Sequence, residues 1–154
     1  MKLAIGCDSA GAPLLKVVRE VLQNRGIEFE DYGVPEDSDE IYPNVAKTVA
    51  ERVSSGDVDR GVLICGTGIG MCITANKVPG VRAALCHDTY SAERAQLSNN
   101  AQVLTMGARV IGPVLGEKIV ETWLDNQYVD NERSGSKVRR MIEIDDELRG
   151  VGQS

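Results

Sequence analysis

The chain has 154 residues, 42% hydrophobic and 26% charged, with a formal net charge of −6. That is one ordinary domain's length, enough to bury a core without disulfides or a metal, and a globular composition rather than a disordered one. The acidic balance excludes a general nucleic-acid binder, which carries a basic face, and no apolar run approaches the ~18–20 residues of a membrane span.

Lys2 to Cys7 reads as a buried strand, and its apolar stretch is too short for a signal peptide. A helix follows from Ala12 to Arg25. Pro13 sits in its first turn, Leu14, Leu15, Val18, Val21 and Leu22 share one face, and Gly26 stops it. Ile27 to Tyr32 is a second strand. Residues 33–43 form an acidic loop that leads into a helix from Asn44 to Ser55. Arg60 to Cys65 is a third strand, and Gly66-Thr-Gly-Ile-Gly70 turns tightly into a helix from Gly70 to Lys77. Arg82 to Cys86 is strand four, Thr89 to Ser98 a helix, and Gln102 to Met106 strand five. Two helices, Pro113 to Asn126 and Lys137 to Leu148, complete the chain before a short tail at 151–154. Trp123 and Met141 stand at helical spacing among apolar neighbours, as core residues do.

The alternation of strands and helices predicts a single domain over residues 1–150. It is an α/β fold: a three-layer α/β/α sandwich with a five-stranded parallel, Rossmann-like sheet and an extra C-terminal helix. Ligands of such folds sit outside the carboxyl ends of the strands, which selects Asp8, Ser9, residues 65–70, His87, Asp88 and residues 107–109.

The strongest local signal is Cys65-Gly-Thr-Gly-Ile-Gly70. Its glycines let backbone N–H groups approach a ligand, and a thiol at that position is a candidate base or nucleophile. No Lys follows Gly70, so this is not a Walker loop, and Met71 stands where a dinucleotide fingerprint needs Gly. The cysteines are Cys7, Cys65, Cys72 and Cys86, without a Cys-x-x-Cys pair, and His87 is the sole histidine. A zinc site and a disulfide framework are therefore not expected, and a reduced, cytoplasmic setting is. Residues 133–140 carry Arg133, Lys137, Arg139 and Arg140 with no acid among them. They form a candidate phosphate clamp that Arg109 could join.

These residues carry a resemblance. Ala4-Ile-Gly-Cys-Asp-Ser-Ala-Gly11, Ile64-Cys-Gly-Thr-Gly-Ile-Gly70, Ala75-Asn-Lys-Val-Pro-Gly-Val-Arg82 and Met106-Gly-Ala-Arg109 resemble the ribose-5-phosphate isomerase B family, which includes the galactose-6-phosphate isomerase subunits. The resemblance runs from Met1 to residue 144. It implies a cofactor-free homodimer, or a tetramer, with active sites shared between subunits, that interconverts phosphorylated aldoses and ketoses through an enediolate. Carried over by position, Cys65 is the proton-abstracting base and Thr67 assists at the sugar end. Gly66, Gly68, Ile69 and Gly70 hold the enediolate oxygens, Asp8, Ser9 and Asn99 bind substrate, and Arg109, Arg133 and Lys137 bind phosphate.

The family's usual histidines after Asp8 and at the proton-donor position are Ser9 and Ser98 here. A hydroxyl is a poor acid, so the sole imidazole, His87, is expected to handle the substrate oxygens, with Ser98 and Ser9 as hydrogen-bonding contacts. This pattern is similar to a branch acting on four-carbon sugar phosphates. D-erythrulose 4-phosphate is the expected substrate, with ribose 5-phosphate as its rival. A sugar-phosphate-binding protein that has lost catalysis is the alternative of another class.

Overall fold

A computed structural model describes residues 1–150, and the tail expected at 151–154 lies outside them. The apolar runs form strands β1 (Lys2–Cys7), β2 (Glu28–Gly33), β3 (Arg60–Cys65), β4 (Ala83–Leu85) and β5 (Val103–Gly107). The amphipathic stretches form helices α1 (Ala12–Asn24), α2 (Tyr42–Ser54), α3 (Ile69–Ala75), α4 (Thr89–Leu97), α5 (Pro113–Asp125) and α6 (Gly135–Leu148). All strand pairs are parallel and the sheet order is β2-β1-β3-β5-β4.

Side chains alternate across the sheet, and the alternation sorts the core into two layers. Leu3, Ile5, Cys7, Val62, Ile64, Leu104 and Met106 pack against the apolar faces of α1, α4 and α5. Ala4, Leu63, Cys65 and Val103 pack against α2 and α3. The chain thus leaves β3 over one face of the sheet and leaves β1 and β5 over the other. The direction of the connections therefore reverses on both sides of β3, and its carboxyl end is where ligands bind in open α/β sheets.

Local differences from the sequence expectation have physical causes. Asp8 caps a 3-10 turn at Ser9–Gly11, accepting from the Gly11 N–H at 3.0 Å, before α1 begins. Helix α2 starts two residues early, at Tyr42, because Pro43 is tolerated in a first turn. Strand β4 keeps only three residues, since Arg82 and Cys86 bond outside the regular ladder.

Trp123 is fully buried, as expected, but Met141 is 37% exposed and does not belong to the core. The reason is that α6 leaves the body of the fold. It is tied back near its C-terminus, where the Gly80 N–H donates to Asp145 at 2.9 Å and Arg149 donates to the Lys77 carbonyl at 3.1 Å. Met141, Ile142, Ile144 and Leu148 remain exposed along α6. Among the described residues no helix is long and apolar enough to cross a membrane.

Candidate active site

Cys65 ends β3 and is buried on the α2/α3 side of the sheet. Its Sγ accepts a hydrogen bond from the Gly68 N–H at 3.1 Å. That contact exists because Gly68 takes the left-handed conformation, φ 78°, which folds the loop back over the thiol. A side chain at Gly68 would stand 2.7 Å from the Met106 backbone. The Gly66 and Thr67 N–H groups donate to nothing within the described residues, so they remain open to an oxyanion. Thr67 is exposed, and its hydroxyl accepts from the Ile69 N–H at 3.3 Å.

The loop rests on the end of β5. Ala108 and Arg109 N–H groups donate to the carbonyls of Cys65 and Gly66 at 2.9 and 3.0 Å. The Thr105 hydroxyl, buried in mid-strand, donates to the Gly68 carbonyl at 3.0 Å. Gly107 lies under Thr67 so closely that a Cβ there would stand 2.7 Å from the Thr67 Cα. The Arg109 side chain lies beside Gly66, with the Ala10 methyl of the 3-10 turn close by.

His87 follows β4 and is half-buried. Its Nε2 accepts from the Gly107 N–H at 2.9 Å. Burial pulls its pKa below the ordinary imidazole value, and the adjacent Asp88 works against that shift. Asp88 caps α4, accepting from the Ser91 N–H and hydroxyl at 2.6 and 2.7 Å, and these bonds lower its pKa. The other thiols of the core are poor bases: burial pushes Cys7 up to about 11 and Cys86 up to about 12.

The structure therefore gathers Asp8, Ser9, Cys65, Gly66, Thr67, Gly68, Ile69, Gly70, His87 and Arg109 at the carboxyl edge of the sheet. It does not bring Ser98, Asn99, Arg133 or Lys137 to them within one chain. Ser98 closes α4 at the opposite edge, where Arg94 donates to its Oγ at 2.8 Å. Arg133 and Lys137 flank the start of α6 beyond that same edge. The two ends of a six-residue strand such as β3 lie ~16 Å apart.

The basic cluster also divides. Arg139 pairs with Asp130 and Arg140 with Glu143 and Glu147, while Arg133 and Lys137 are exposed and pair with no acid among the described residues. Two residues of the site escaped sequence reasoning. Thr105 was legible only as a lone hydroxyl in an apolar strand. Tyr42, whose ring lies 2.4 Å from where a Gly70 Cβ would stand, reaches the site through the fold alone. No group of three or more His, Cys, Asp or Glu that could hold a metal ion occurs among the described residues.

The model of the Ribose/Galactose Isomerase family matches residues 3–141. The chain is 52% identical, over 97% of its length and 100% of the relative's, to a ribose-5-P isomerase B of Listeria innocua. It is 50% identical to a D-erythrulose-4-phosphate isomerase of Pectobacterium atrosepticum, over 92% of this chain and 93% of that one. The solved ribose-5-phosphate isomerase B of Clostridium thermocellum superposes with a TM-score of 0.90 at 41% identity, covering 96% of this chain and 99% of the other.

Proposed function

Because the chain belongs to the ribose/galactose isomerase family, and is thus an aldose–ketose isomerase of a sugar phosphate, we propose that it interconverts D-erythrulose 4-phosphate and D-erythrose 4-phosphate through an enediolate. The observation that carries the chemistry is the Cys65–Gly68 contact. It supports a thiol base beneath a loop whose Gly66 and Thr67 N–H groups have no other acceptor among the described residues. Proton abstraction next to a carbonyl needs such a base together with fixed donors for the oxygen that becomes negative. Asp8 and Ser9, at the end of β1, serve the sugar hydroxyls, and Arg109 lies beside the loop. Serine rather than histidine at positions 9 and 98, with the imidazole at His87, supports the four-carbon substrate, as does the 50% identity to the D-erythrulose-4-phosphate isomerase. The 52% identity to a ribose-5-P isomerase B supports ribose 5-phosphate as the second reading. A coupled isomerase assay over four-, five- and six-carbon sugar phosphates separates the two. The highest kcat/KM on ribose 5-phosphate would transfer the assignment to the second.

The site is completed by a second copy of the chain. Ser98, Asn99, Arg133 and Lys137 lie at the other edge of the sheet from Cys65 in their own subunit, and Arg133 and Lys137 pair with no acid among the described residues. Exposed Ile41, Tyr42, Ile69 and Ile73 near the loop, with the apolar stripe of α6, supply surface for association. In the assembly the partner's cations take the substrate phosphate, and its Ser98 and Asn99 contact the sugar. Arg133→Ala is expected to weaken substrate and inorganic phosphate in parallel by about 1.5–3 kcal/mol, the range for hydrogen bonds to charged groups. Unchanged KM and phosphate inhibition would return Arg133 to a solvated surface.

A further inference from the structure

His87 stands where the backbone pairing of β4 runs out. Leu85 pairs with Thr105, and the Cys86 N–H still reaches the Thr105 carbonyl at 3.1 Å. Beyond that point a side chain replaces the strand, because the Gly107 N–H donates to His87 Nε2 at 2.9 Å. A ring nitrogen that accepts a hydrogen bond carries no proton, so in the neutral ring the proton is on Nδ1. Nδ1 bonds to nothing within the described residues. Protonating Nε2 would set two N–H donors against each other and break the Gly107 bond. The charged group that acts on the ring is Asp88, at the start of α4. Gly107 is itself pressed against Thr67, so the imidazole is held one residue away from the loop that shelters the base.

We propose that His87 is a catalytic residue that acts as an uncharged hydrogen-bond donor: Gly107 fixes its Nδ1–H tautomer, and Nδ1–H stabilises the enediolate oxygens. The proposal rests on the isomerase reading above and departs from the expectation that the imidazole gives and takes protons. In the ketose-to-aldose direction, the Cys65 thiolate takes a proton from the hydroxyl-bearing carbon beside the carbonyl. That C–H pair becomes the carbon–carbon double bond, and the carbonyl pair moves onto its oxygen, where Nδ1–H meets it. The neighbouring hydroxyl proton passes to that oxygen across the cis enediolate. The oxygen that lost it forms the new carbonyl, and the double-bond pair takes the proton back from the Cys65 S–H at the former carbonyl carbon. One carbon is oxidised and its neighbour reduced, and His87 ends each turnover with the proton it began with.

One histidine per chain makes the test unambiguous. ¹⁵N NMR of the full-length protein across pH 5.5–8 is expected to show a protonated Nδ1 and an unprotonated Nε2, with no titration near the ordinary imidazole pKa of ~6.5. His87→Gln is expected to lower kcat on the four-carbon substrate ~100-fold, the usual effect of losing one oxyanion donor, and to leave KM within about twofold. A ring protonated on Nε2 at neutral pH, a titration near 6.5, or wild-type kcat in His87→Gln each overturns the proposal. If the variant loses its thermal unfolding transition, the tautomer of the wild-type ring decides alone. A wild-type chain that isomerises no sugar phosphate overturns the isomerase reading, and the proposal with it, whatever the tautomer. A ring protonated on Nε2 in an active enzyme overturns the His87 proposal only.

Discussion

At the scale of single residues, the four thiols divide by environment. Cys7 donates to the Val34 carbonyl at 3.5 Å inside the α1 layer, and Cys86 lies in the same core. Burial keeps both protonated far above neutral pH, so neither can serve as a base. Cys65 differs in having a backbone N–H aimed at its sulfur. Cys65→Ala is expected to lower kcat at least ~100-fold, the usual size of an acid–base contribution, with KM little changed. Near-normal turnover would remove this thiol from the reaction. In the same preparation, iodoacetamide at neutral pH should leave Cys7 and Cys86 unmodified while the protein stays folded, which peptide mass mapping reads directly.

At the scale of elements, β5 is the spine of the site. Its Thr105 hydroxyl holds the Gly68 carbonyl, which also accepts the Cys72 N–H at 3.1 Å at the start of α3. Its end positions His87 through one N–H and supports the loop through two more. Thr105→Val keeps the side chain's shape and removes the donor. A hydrogen bond is worth about 0.5–1.5 kcal/mol, so kcat should fall roughly 3- to 10-fold as Gly68 loses its anchor, and Thr105→Ser should recover most of it. Equal activity of the valine and serine variants would show that backbone contacts alone hold the loop. Gly107→Ala tests the same junction by overfilling it. The added methyl meets Thr67 backbone rather than a side chain that could swing away. A loss of about 1–3 kcal/mol in stability is expected from denaturant unfolding, together with a fall in kcat.

At the scale of the whole molecule, the residues of the proposed site stand at opposite edges of the sheet, and the proposed assembly brings them together. An equimolar refolded mixture of Cys65→Ala and Arg133→Ala copies should regain about a quarter of wild-type activity, since about half the dimers are mixed and each has one intact site. No recovery on mixing and refolding would place the cations outside the site. Acid stability is another property of the assembled fold. Arg52, and then Tyr32, hold the Glu30 carboxyl down to about 2. Its folded pKa lies below the unfolded value of ~4.3, so its contribution is complete above that pH and drains away as pH falls toward 2. Tm should drop through this window, and Glu30→Gln should flatten the drop.

The amino-acid order determined the elements because short apolar runs bounded by Gly and Pro leave few alternatives to a parallel α/β sheet. It also marked Cys65, Asp8, His87 and Arg109, since strand-end positions in such a sheet are ligand positions. Only the tertiary structure decided which marked residues meet. Ser98 and Asn99 follow α4 and precede strand five in sequence, Arg133 precedes α6 and Lys137 lies in its first turn. A parallel sheet sends every helix back to the amino edge, so these residues end away from Cys65, and no residue type among them announces that separation. Met141 misled for a related reason: helical periodicity shows that a face is apolar, not that the rest of the domain covers it. The bond from Gly107 to His87 is equally unreadable in the sequence. It joins residues 20 positions apart and exists because β4 stops one residue too soon to satisfy that N–H by itself.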